Sequence, residues 1–315
     1  MISIIIPIYN RADLIEETLQ SIKQQTYEDW ECIIVDDGST DDTFDVVEQL
    51  TSNDSRFKLY KRPEELQKGP SSCRNYGVSL SSGAFIQFFD SDDVMRPDHL
   101  KLKRDAIRDK DFAVCQLEAF KGDFDRSLFN KAAMHTIKKP ANVLEAFVTG
   151  EFPMMMVAPL WRANSIKPYL PIREDLHILE DHELYVRALA VQQEYVIINQ
   201  PLIFYRIGSV SSTNRFYKEV SYGLASYFEA KRTALANIAT PRVKLSILKM
   251  TLGFFRMALA ERDLQSATAC LDFIKDNGLC YSLALRLKFY RIVFFFTIFK
   301  MVKRGDTLFK PLFKL

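Results

Sequence analysis

Runs of apolar and β-branched residues recur at a regular spacing through the first 115 residues of the chain. They cover residues 2–8, 32–35, 57–60, 84–89 and 112–115. The spacing between successive runs is about 25–30 residues, which leaves room for one helix and is typical of βαβ units. The first two runs are continuously apolar, which predicts strands buried on both faces of a parallel sheet. We therefore predict an α/β fold with a doubly wound, mostly parallel, Rossmann-like sheet.

The segments around these runs predict helices and a change of architecture. Asp13 can cap a helix with an apolar stripe, and Asp41 or Asp42 can cap the next. Residues 180–189 predict a helix with acids in its first turn, and residues 195–198 and 202–206 predict two short strands. From about residue 216 the pattern is helical to the end. We place a domain boundary near residue 215.

Polar residues follow three of the apolar runs directly. Residues 7–11 read Pro-Ile-Tyr-Asn-Arg, residues 36–39 read Asp-Asp-Gly-Ser, and residues 90–93 read Asp-Ser-Asp-Asp. Open α/β sheets bind ligands at the carboxyl ends of their strands. Carboxylates there suit Mg²⁺ or Mn²⁺, which prefer oxygen ligands shared with phosphates. The alternative for residues 90–93 is an acidic turn that ends the strand or caps the helix predicted from Pro97.

Two further motifs complete an ordered set. Residues 74–77 read Arg-Asn-Tyr-Gly, and Glu180-Asp181 follows about 90 residues after the acidic turn. In this order the five motifs resemble those of the family 2 glycosyltransferases with the GT-A fold, over roughly residues 2–210. The resemblance implies a catalytic domain at residues 1–215, followed by a helical carboxyl-terminal region at residues 216–315.

The resemblance implies a nucleotide-sugar donor site near the first motifs. It assigns Pro7, Tyr9 and Arg11 to the donor, and Asp37 to the nucleobase, with Asp36 a weaker candidate. The flat ring of Tyr9 suits a base, although it is equally explained as an exposed loop aromatic. Gly38-Ser39 can simply turn the chain.

Arg74 is a candidate for contact with the donor diphosphate or nucleoside, and residues 68–69 (Lys-Gly) are a looser candidate for the phosphates. An Arg74 that pairs with a nearby Asp is the structural alternative.

The same resemblance assigns a metal and a base. Asp92 would ligate the Mn²⁺ or Mg²⁺ that bridges the donor phosphates, and Asp90 would contact the ribose or the metal with its water shell. Asp93 is a second ligand or a cap residue. Asp181 would be the general base of an inverting transfer, oriented by Glu180. The alternative is that both acids only favour a helix N-terminus.

One position departs from the family pattern. Relatives often carry a His after the Tyr-Arg that ends the late strand, whereas residues 205–209 here read Tyr-Arg-Ile-Gly-Ser. Gly208 offers no ligating side chain, and His182 is a poor substitute. The third protein ligand is therefore open, and water is one candidate for it.

The charge and cysteine patterns bear on location. From residue 286 onward there are eight basic residues and one acid, so this end is about +7 and the rest about −5. Its apolar run, residues 292–299, is too short to span a membrane, which needs about 20 residues. The hypotheses are a helix at an anionic membrane surface or a packed terminal helix. Five scattered cysteines predict a reducing compartment without a zinc site.

These observations give one leading hypothesis and two alternatives. The protein would be an inverting, metal-dependent glycosyltransferase that moves a sugar from a UDP-sugar to a saccharide or lipid-linked saccharide in bacterial surface-polysaccharide assembly. We expect a cytoplasmic location without a signal peptide, peripheral contact with the inner face of the membrane through residues 286–315, and no nucleic-acid partner. The alternatives are a nucleotidylyltransferase, which would need a Gly-rich loop after the first strand, and a non-catalytic nucleotide-sugar binder or assembly subunit.

Overall fold

The structure is a computed structural model that describes residues 1–132, 136–191, 194–208 and 212–302. Its contacts divide the chain into two compact units. The sheet unit comprises Met1–Ala141, Phe152–Glu174 and Val191–Ser209, and the helical unit comprises Asn142–Glu151, Asp175–Ala190 and Val210–Leu315. Each unit is described by itself. The catalytic domain at residues 1–215 and the helical region at residues 216–315 stay a prediction, and residues 303–315 lie outside the described part of the chain.

The sheet unit is built on one mixed sheet. Its strands are β1 Ile2–Ile8, β2 Trp30–Asp36, β3 Phe57–Lys61, β4 Phe85–Phe88, β5 Val94–Met95, β6 Phe112–Phe120, β7 Pro159–Arg162 and β8 Tyr195–Arg206. They are ordered β3-β2-β1-β4-β7-β6-β8-β5. The first four in this order are parallel, as are β6 and β8, whereas β7 and β5 pair antiparallel with their neighbours. The predicted mostly parallel α/β sheet is confirmed.

Helices surround this sheet and make up most of the helical unit. They are α1 Ile15–Lys23, α2 Thr43–Thr51, α3 Pro70–Leu80, α4 His99–Ile107, α5 Val143–Thr149, α6 Ala163–Ile166, α7 Glu180–Leu189, α8 Ser212–Lys218, α9 Val220–Asn237, α10 Pro241–Ala260, α11 Leu264–Asp276 and α12 Leu283–Val302. Helices α1–α4 and α6 belong to the sheet unit, and α5 and α7–α12 belong to the helical unit. In the described residues, no helix is long and apolar enough to cross a membrane.

Burial explains the parallel half of the sheet. Every residue of β1 and β2 is buried, as expected for strands covered by helices on both faces. Helix α3 lies close to β1 at Gly77, where a Cβ atom would stand 2.6 Å from the Ile5 side chain. This close approach fixes where the first turns of α3, which carry Arg74, lie over the sheet.

Two local predictions, on residues 195–206 and on Asp13, need correction, whereas the predicted capping of α2 by Asp41 or Asp42 is met. Residues 195–206 form the single strand β8, because register shifts beside Gln116 accommodate Pro201 while Gln116 Nε2 donates to the Asn199 side chain at 3.1 Å. Asp13 does not cap α1, whose N-cap position is Leu14 without a side-chain hydrogen bond. At α2 the N-cap residue is Asp42, also without one, whereas Asp41 Oδ1 accepts the Thr43 N–H at 3.1 Å.

Candidate active site

The carboxyl ends of β1, β2 and β4 meet at one edge of the sheet, because β1 lies between the other two. Ile8 is in register with Asp36, and Ile5 with Phe88. The Asp37 N–H donates to the Ile8 carbonyl at 2.9 Å. The predicted motifs at residues 7–11, 36–39 and 90–93 are therefore brought together.

Side chains bind the first two of these loops to each other. Asn10, at φ +48°, donates its N–H to Ser39 Oγ at 3.0 Å, and its Oδ1 accepts from the Thr40 N–H at 2.8 Å. The Arg11 N–H donates to Thr43 Oγ1 at 2.7 Å. Asn tolerates a left-handed backbone better than most residues. The loop after β1 is thus held in a defined conformation, with Pro7 buried in β1 before it.

Tyr9 projects from this loop and is 40% exposed. The Lys68 ammonium lies 4.1 Å from the centre of its ring, within the range of a cation–π contact. The aromatic candidate for the nucleobase and the looser candidate for a phosphate are therefore neighbours. Sequence spacing alone did not predict this contact.

The two acids after β2 have different environments. Asp36 accepts from the N–H groups of Gly38 and Ser39, both at 3.1 Å, and from Ser39 Oγ at 2.5 Å. It therefore holds the turn. Asp37 Oδ1 accepts from Arg62 Nε at 2.6 Å and from the Gly69 N–H at 3.1 Å. Arg62 is a residue that the sequence analysis missed, because a pair 25 positions apart leaves no local pattern.

Two arginines face the acidic turn. Arg74 Nη2 donates to Asp90 Oδ1 at 2.7 Å, and Arg11 Nη2 lies 3.6 Å from Asp92 Oδ2. Arg74 thus pairs with a nearby Asp, which is the alternative to ligand binding that the sequence left open. The same pairs place two guanidinium groups where they could bind an anionic ligand, since guanidinium forks suit phosphate oxygens.

The acidic turn concentrates negative charge. Burial, and then the Asp90 carboxylate, raise the pKa of Asp92. Asp93 is fully buried, and burial followed by the charges of Asp90 and Asp92 raises its pKa well above the ordinary value. Its Oδ1 accepts the Arg206 N–H at 3.0 Å, whereas no hydrogen-bond partner for its Oδ2 is found in the described residues. A cation at this turn would relieve the repulsion.

The residues present fit a shared metal site rather than a complete one. Among the described residues, no cluster of three or more His, Cys, Asp or Glu side chains could hold a metal ion by itself. Asp90 and Asp92 nevertheless offer hard oxygen donors, which Mg²⁺ typically combines with ligand phosphates and water.

Arg206, at the end of β8, holds the acidic turn in place through hydrogen bonds. Its Nε donates to the Asp92 carbonyl at 2.9 Å, and its two terminal nitrogens donate to the Gly122 carbonyl and the Glu17 carboxylate. In the sequence, Arg206 is recognisable only as part of the strand end. Its partner Glu17 is 189 positions away, so only the fold reveals the pair.

Glu180 and Asp181 begin α7 in the helical unit, as predicted. Asp181 Oδ1 accepts the His182 N–H at 2.7 Å, which satisfies one of the free amide groups at the helix start. Glu183 and Arg187 form an ion pair along the helix, with Arg187 Nη2 2.9 Å from Glu183 Oε2. This part of the family pattern therefore stabilises α7.

The chain matches the family model for glycosyl transferase family 2 over residues 3–161. It is 29% identical to the putative glycosyltransferase EpsH of Bacillus subtilis over 232 residues, 72% of this chain and 67% of that protein. It is 39% identical over 92 residues, 29% of either chain, to the GalNAc(5)-diNAcBac-PP-undecaprenol beta-1,3-glucosyltransferase of Campylobacter jejuni.

Two solved structures share the fold. Residues 1–349 of S. aureus TarS in complex with UDP-GlcNAc superpose with a TM-score of 0.69 at 19% identity, covering 94% of this chain and 87% of that one. The mannosyltransferase PcManGT of Pyrobaculum calidifontis, in complex with GDP-Man and Mn²⁺, gives 0.58 at 15% identity, covering 91% and 82%.

The chain therefore belongs to glycosyl transferase family 2 and has the GT-A fold. It is a glycosyltransferase, so the predicted enzyme class is confirmed. The matches favour this class over the nucleotidylyltransferase and the non-catalytic subunit.

Proposed function

We propose that the protein is an inverting, metal-dependent glycosyltransferase that moves a sugar from a UDP-sugar to a saccharide or lipid-linked saccharide in bacterial cell-surface polysaccharide assembly. The observation that carries this proposal is the convergence of three polar loops at the carboxyl ends of β1, β2 and β4. This edge of an open α/β sheet is where such folds bind ligands.

The residues of this edge are suited to a nucleoside diphosphate. Tyr9 offers an exposed ring for the base, and Asp37 offers a carboxylate for its N–H groups. Arg11 and Arg74, now paired with Asp92 and Asp90, would exchange part of that pairing for diphosphate oxygens. Asp36 supports them by holding the turn after β2. TarS with UDP-GlcNAc and PcManGT with GDP-Man support a nucleotide-sugar donor.

Asp92 and Asp90 would hold Mn²⁺ or Mg²⁺ together with the donor phosphates. The bound metal would supply Lewis-acid stabilisation of the negative charge on the leaving nucleoside diphosphate. The Mn²⁺ in the PcManGT complex supports this cofactor. Arg206 keeps the backbone of Asp92 in place through its 2.9 Å bond to the Asp92 carbonyl.

Asp181 would take the proton from the acceptor hydroxyl while that oxygen attacks the anomeric carbon from the face opposite the leaving group. Direct displacement of this kind inverts the anomeric configuration. Its position in the first turn of α7 supports the role, because the helix N-terminus favours the ionised carboxylate of a base. Glu180, the preceding residue, would orient Asp181 or the acceptor.

A lipid-linked acceptor and peripheral contact with the inner face of the membrane complete the proposal. The undecaprenol-linked substrate in the printed name of the C. jejuni relative supports such an acceptor. The basic end of the chain supports a contact with an anionic surface. Of the proposed contact segment, residues 286–315, the last thirteen lie outside the described residues.

Calorimetric titration tests the donor and metal together. UDP, GDP and CDP, and then UDP-GlcNAc and GDP-Man, are titrated with and without Mn²⁺ into the wild type, Asp92→Ala and the control Asp109→Ala. Asp109 is an exposed surface acid with a side chain that is 78% accessible. We expect Mn²⁺-dependent UDP binding that only Asp92→Ala abolishes. Failure of every nucleotide to bind, combined with no hydrolysis of a donor panel, would refute the proposal.

Asp181→Asn tests the base. The expected result is a loss of transfer of about 10²–10⁴-fold, the usual contribution of a general base, with unchanged donor binding. Asp272→Asn, an exposed acid on α11, is the matched control. Full transfer by Asp181→Asn would exclude Asp181 as base, and retention of the donor's anomeric configuration in the product, read by NMR, would exclude the inverting mechanism.

A further inference from the structure

Helix α12 is apolar on two opposite faces. One face is buried within the helical unit and consists of Phe289, Ile292, Phe296 and Phe299. The Phe296 ring makes an edge-to-face contact with Phe255, with ring centres 5.3 Å apart. Packing against the unit therefore accounts for this face. It does not account for the other.

The opposite face carries a stripe of large exposed side chains, here called the α12 stripe: Leu283, Leu287, Tyr290 and Phe294. Their exposed fractions range from 61% for Phe294 to 73% for Leu283. Steps of four, three and four residues place all four on one side of a helix. Contiguous exposed apolar surface of this kind marks an interaction site more often than isolated exposed residues do.

The charges around the stripe are all of one sign. Between residues 283 and 302 the chain has four basic residues, Arg286, Lys288, Arg291 and Lys300, and no acid. A second copy of this face would bring like charges together. An anionic lipid surface, in contrast, offers opposite charge for the basic side chains, an apolar layer for the leucines and phenylalanine, and an interfacial layer suited to tyrosine.

We propose that the α12 stripe docks on the surface of an anionic phospholipid bilayer, with its apolar side chains inserted and Arg286 and Arg291, which flank the stripe on the helix, at the headgroups. The inference deepens the proposed peripheral membrane contact and rests on it for its role in the cell. The docking itself is a property of α12 and needs neither donor nor metal.

Vesicle flotation tests this docking with the full chain. Vesicles of phosphatidylcholine alone and of phosphatidylcholine with phosphatidylglycerol at about 3:1 are compared at low and high salt, because screening weakens charge attraction at a surface. We expect binding to the anionic vesicles only, falling with salt. Leu287→Ser/Phe294→Ser should reduce it at least about tenfold, since the inserted area supplies much of the affinity of such helices.

Two further variants make the test specific. Arg286→Glu/Arg291→Glu should abolish the preference for phosphatidylglycerol, and Met250→Ser, at a 44% exposed position on α10, should bind like the wild type. Circular dichroism confirms that each variant is folded. No flotation of the wild type, or flotation that the stripe variants leave intact, would overturn the proposal. A dimer that Leu287→Ser/Phe294→Ser dissociates would instead identify a second copy as the occupant. Either result would leave the transferase proposal standing.

A separate observation concerns the start of α7. Lys231 on α9 is buried, and its ammonium donates to His182 Nε2 at 2.9 Å. The His182 ring is stacked on Phe147, with ring centres 5.0 Å apart. Because Nε2 accepts, the proton of the neutral imidazole lies on Nδ1. Asp181, the proposed base, is the residue next to His182.

We infer that Lys231 and His182 are positioning residues for Asp181: the buried ammonium keeps the carboxylate ionised, and the imidazole ties the ammonium to the first turn of α7. Asp181 attracts the ammonium and opposes the effect of burial, which lowers the pKa of Lys231 to about 8. In the described part of the chain, the Tyr227 ring on the same helix also lies near the ammonium, at 5.9 Å. This inference rests on the proposed role of Asp181.

The test compares Lys231→Met, Lys231→Gln and Lys103→Met, the last a buried lysine of the sheet unit outside the proposed site. Loss of a positive charge near a carboxylate raises the pKa of that carboxyl by about one unit or more. We therefore expect both Lys231 variants to shift the acid limb of kcat upward by about one pH unit, with unchanged donor KM. Lys103→Met should leave the limb in place.

Because Lys231→Gln can retain a hydrogen bond to His182 and still removes the charge, it separates the two contributions. An unshifted limb in folded Lys231 variants, with Asp181→Asn inactive, would overturn the positioning role alone. An active Asp181→Asn would instead show that the base was assigned wrongly.

Discussion

Each unit of the molecule encloses a lysine beside a histidine, but the two lysines have different surroundings. Lys103 donates to Gln87 Oε1 at 3.0 Å and to the Ala158 carbonyl at 2.7 Å, so its partners are neutral. Lys231 donates to His182 and is attracted by the Asp181 carboxylate. Burial lowers the pKa of both lysines to about 8.

These surroundings indicate a structural role for Lys103 and a role in the proposed reaction for Lys231. Two neutral acceptors hold Lys103 in the core of the sheet unit, where it can only fix the packing of α4 against β4. Lys231 lies behind the first turn of α7, where the same desolvated charge acts on a carboxylate. Burying a cation lowers the stability of the protein in both places. Only Lys231 also has a role in the proposed reaction.

Removal of the side-chain acceptor of Lys103 is the largest expected effect on stability. Gln87→Leu leaves the buried ammonium with one acceptor and removes the donor that Gln87 Nε2 provides to the Phe88 and Val157 carbonyls, each at 2.8 Å. Leaving a buried charged group without one of its hydrogen-bond partners costs about 3 kcal/mol or more. We expect a loss of this size in urea unfolding, with unchanged kcat in the fraction that remains folded. A variant of wild-type stability would show that Gln87 does not hold the charge.

The pH dependence of unfolding gives the next largest effect. Between pH 8 and the ordinary lysine pKa near 10.4, the unfolded chain keeps both protons and the folded protein releases them. Because the unfolded state binds more protons, stability rises with pH in this window, by about 3 kcal/mol for each lysine. Below pH 8 both lysines are charged in both states and contribute no slope.

Lys103→Met and Lys231→Met should each remove the contribution of one lysine to this rise in stability with pH. The measurement is the unfolding free energy in urea at pH values from 7 to 10.5. If Lys103→Met alone removed the whole rise in stability, the expectation that both lysines contribute would be wrong. It would mean that Asp181 fully offsets the burial of Lys231.

The sequence pattern predicted those helices and strands that are determined by their own residues. The continuous apolar run of β1 and the acidic first turn of α7 gave bounds that the structure reproduces. Strand β7 was missed, because Pro159–Arg162 is only four residues long and pairs antiparallel with both of its neighbours in a mostly parallel sheet. Strand β8 was divided in two at Pro201, since the register shift that admits it depends on the partner strand.

The candidate site divides in the same way. The motifs at the strand ends could be predicted, because parallel strands bring their carboxyl ends to one edge of the sheet. The partners that hold the motifs could not. The pairs Arg62–Asp37 and Arg206–Glu17 and the contact between Lys231 and His182 each join residues far apart in sequence. Such pairs depend on which helix packs on which strand, and only the fold supplies that.

The histidines beside the two lysines give the smallest expected effect. Burial first, and then the neighbouring lysine, lower the pKa values of His99 and His182 well below the ordinary value. The unfolded chain takes up these protons below about pH 6.5, so stability falls as the pH drops from there. Each histidine contributes at most about 1.4 kcal/mol per pH unit. Urea unfolding between pH 7 and 5 should show that His99→Gln and His182→Gln each remove the contribution of one histidine to this fall in stability. If both variants instead kept the wild-type slope of stability against pH, the buried imidazoles would accept protons in the folded state. The two lysine–histidine pairs would then resemble each other in geometry alone.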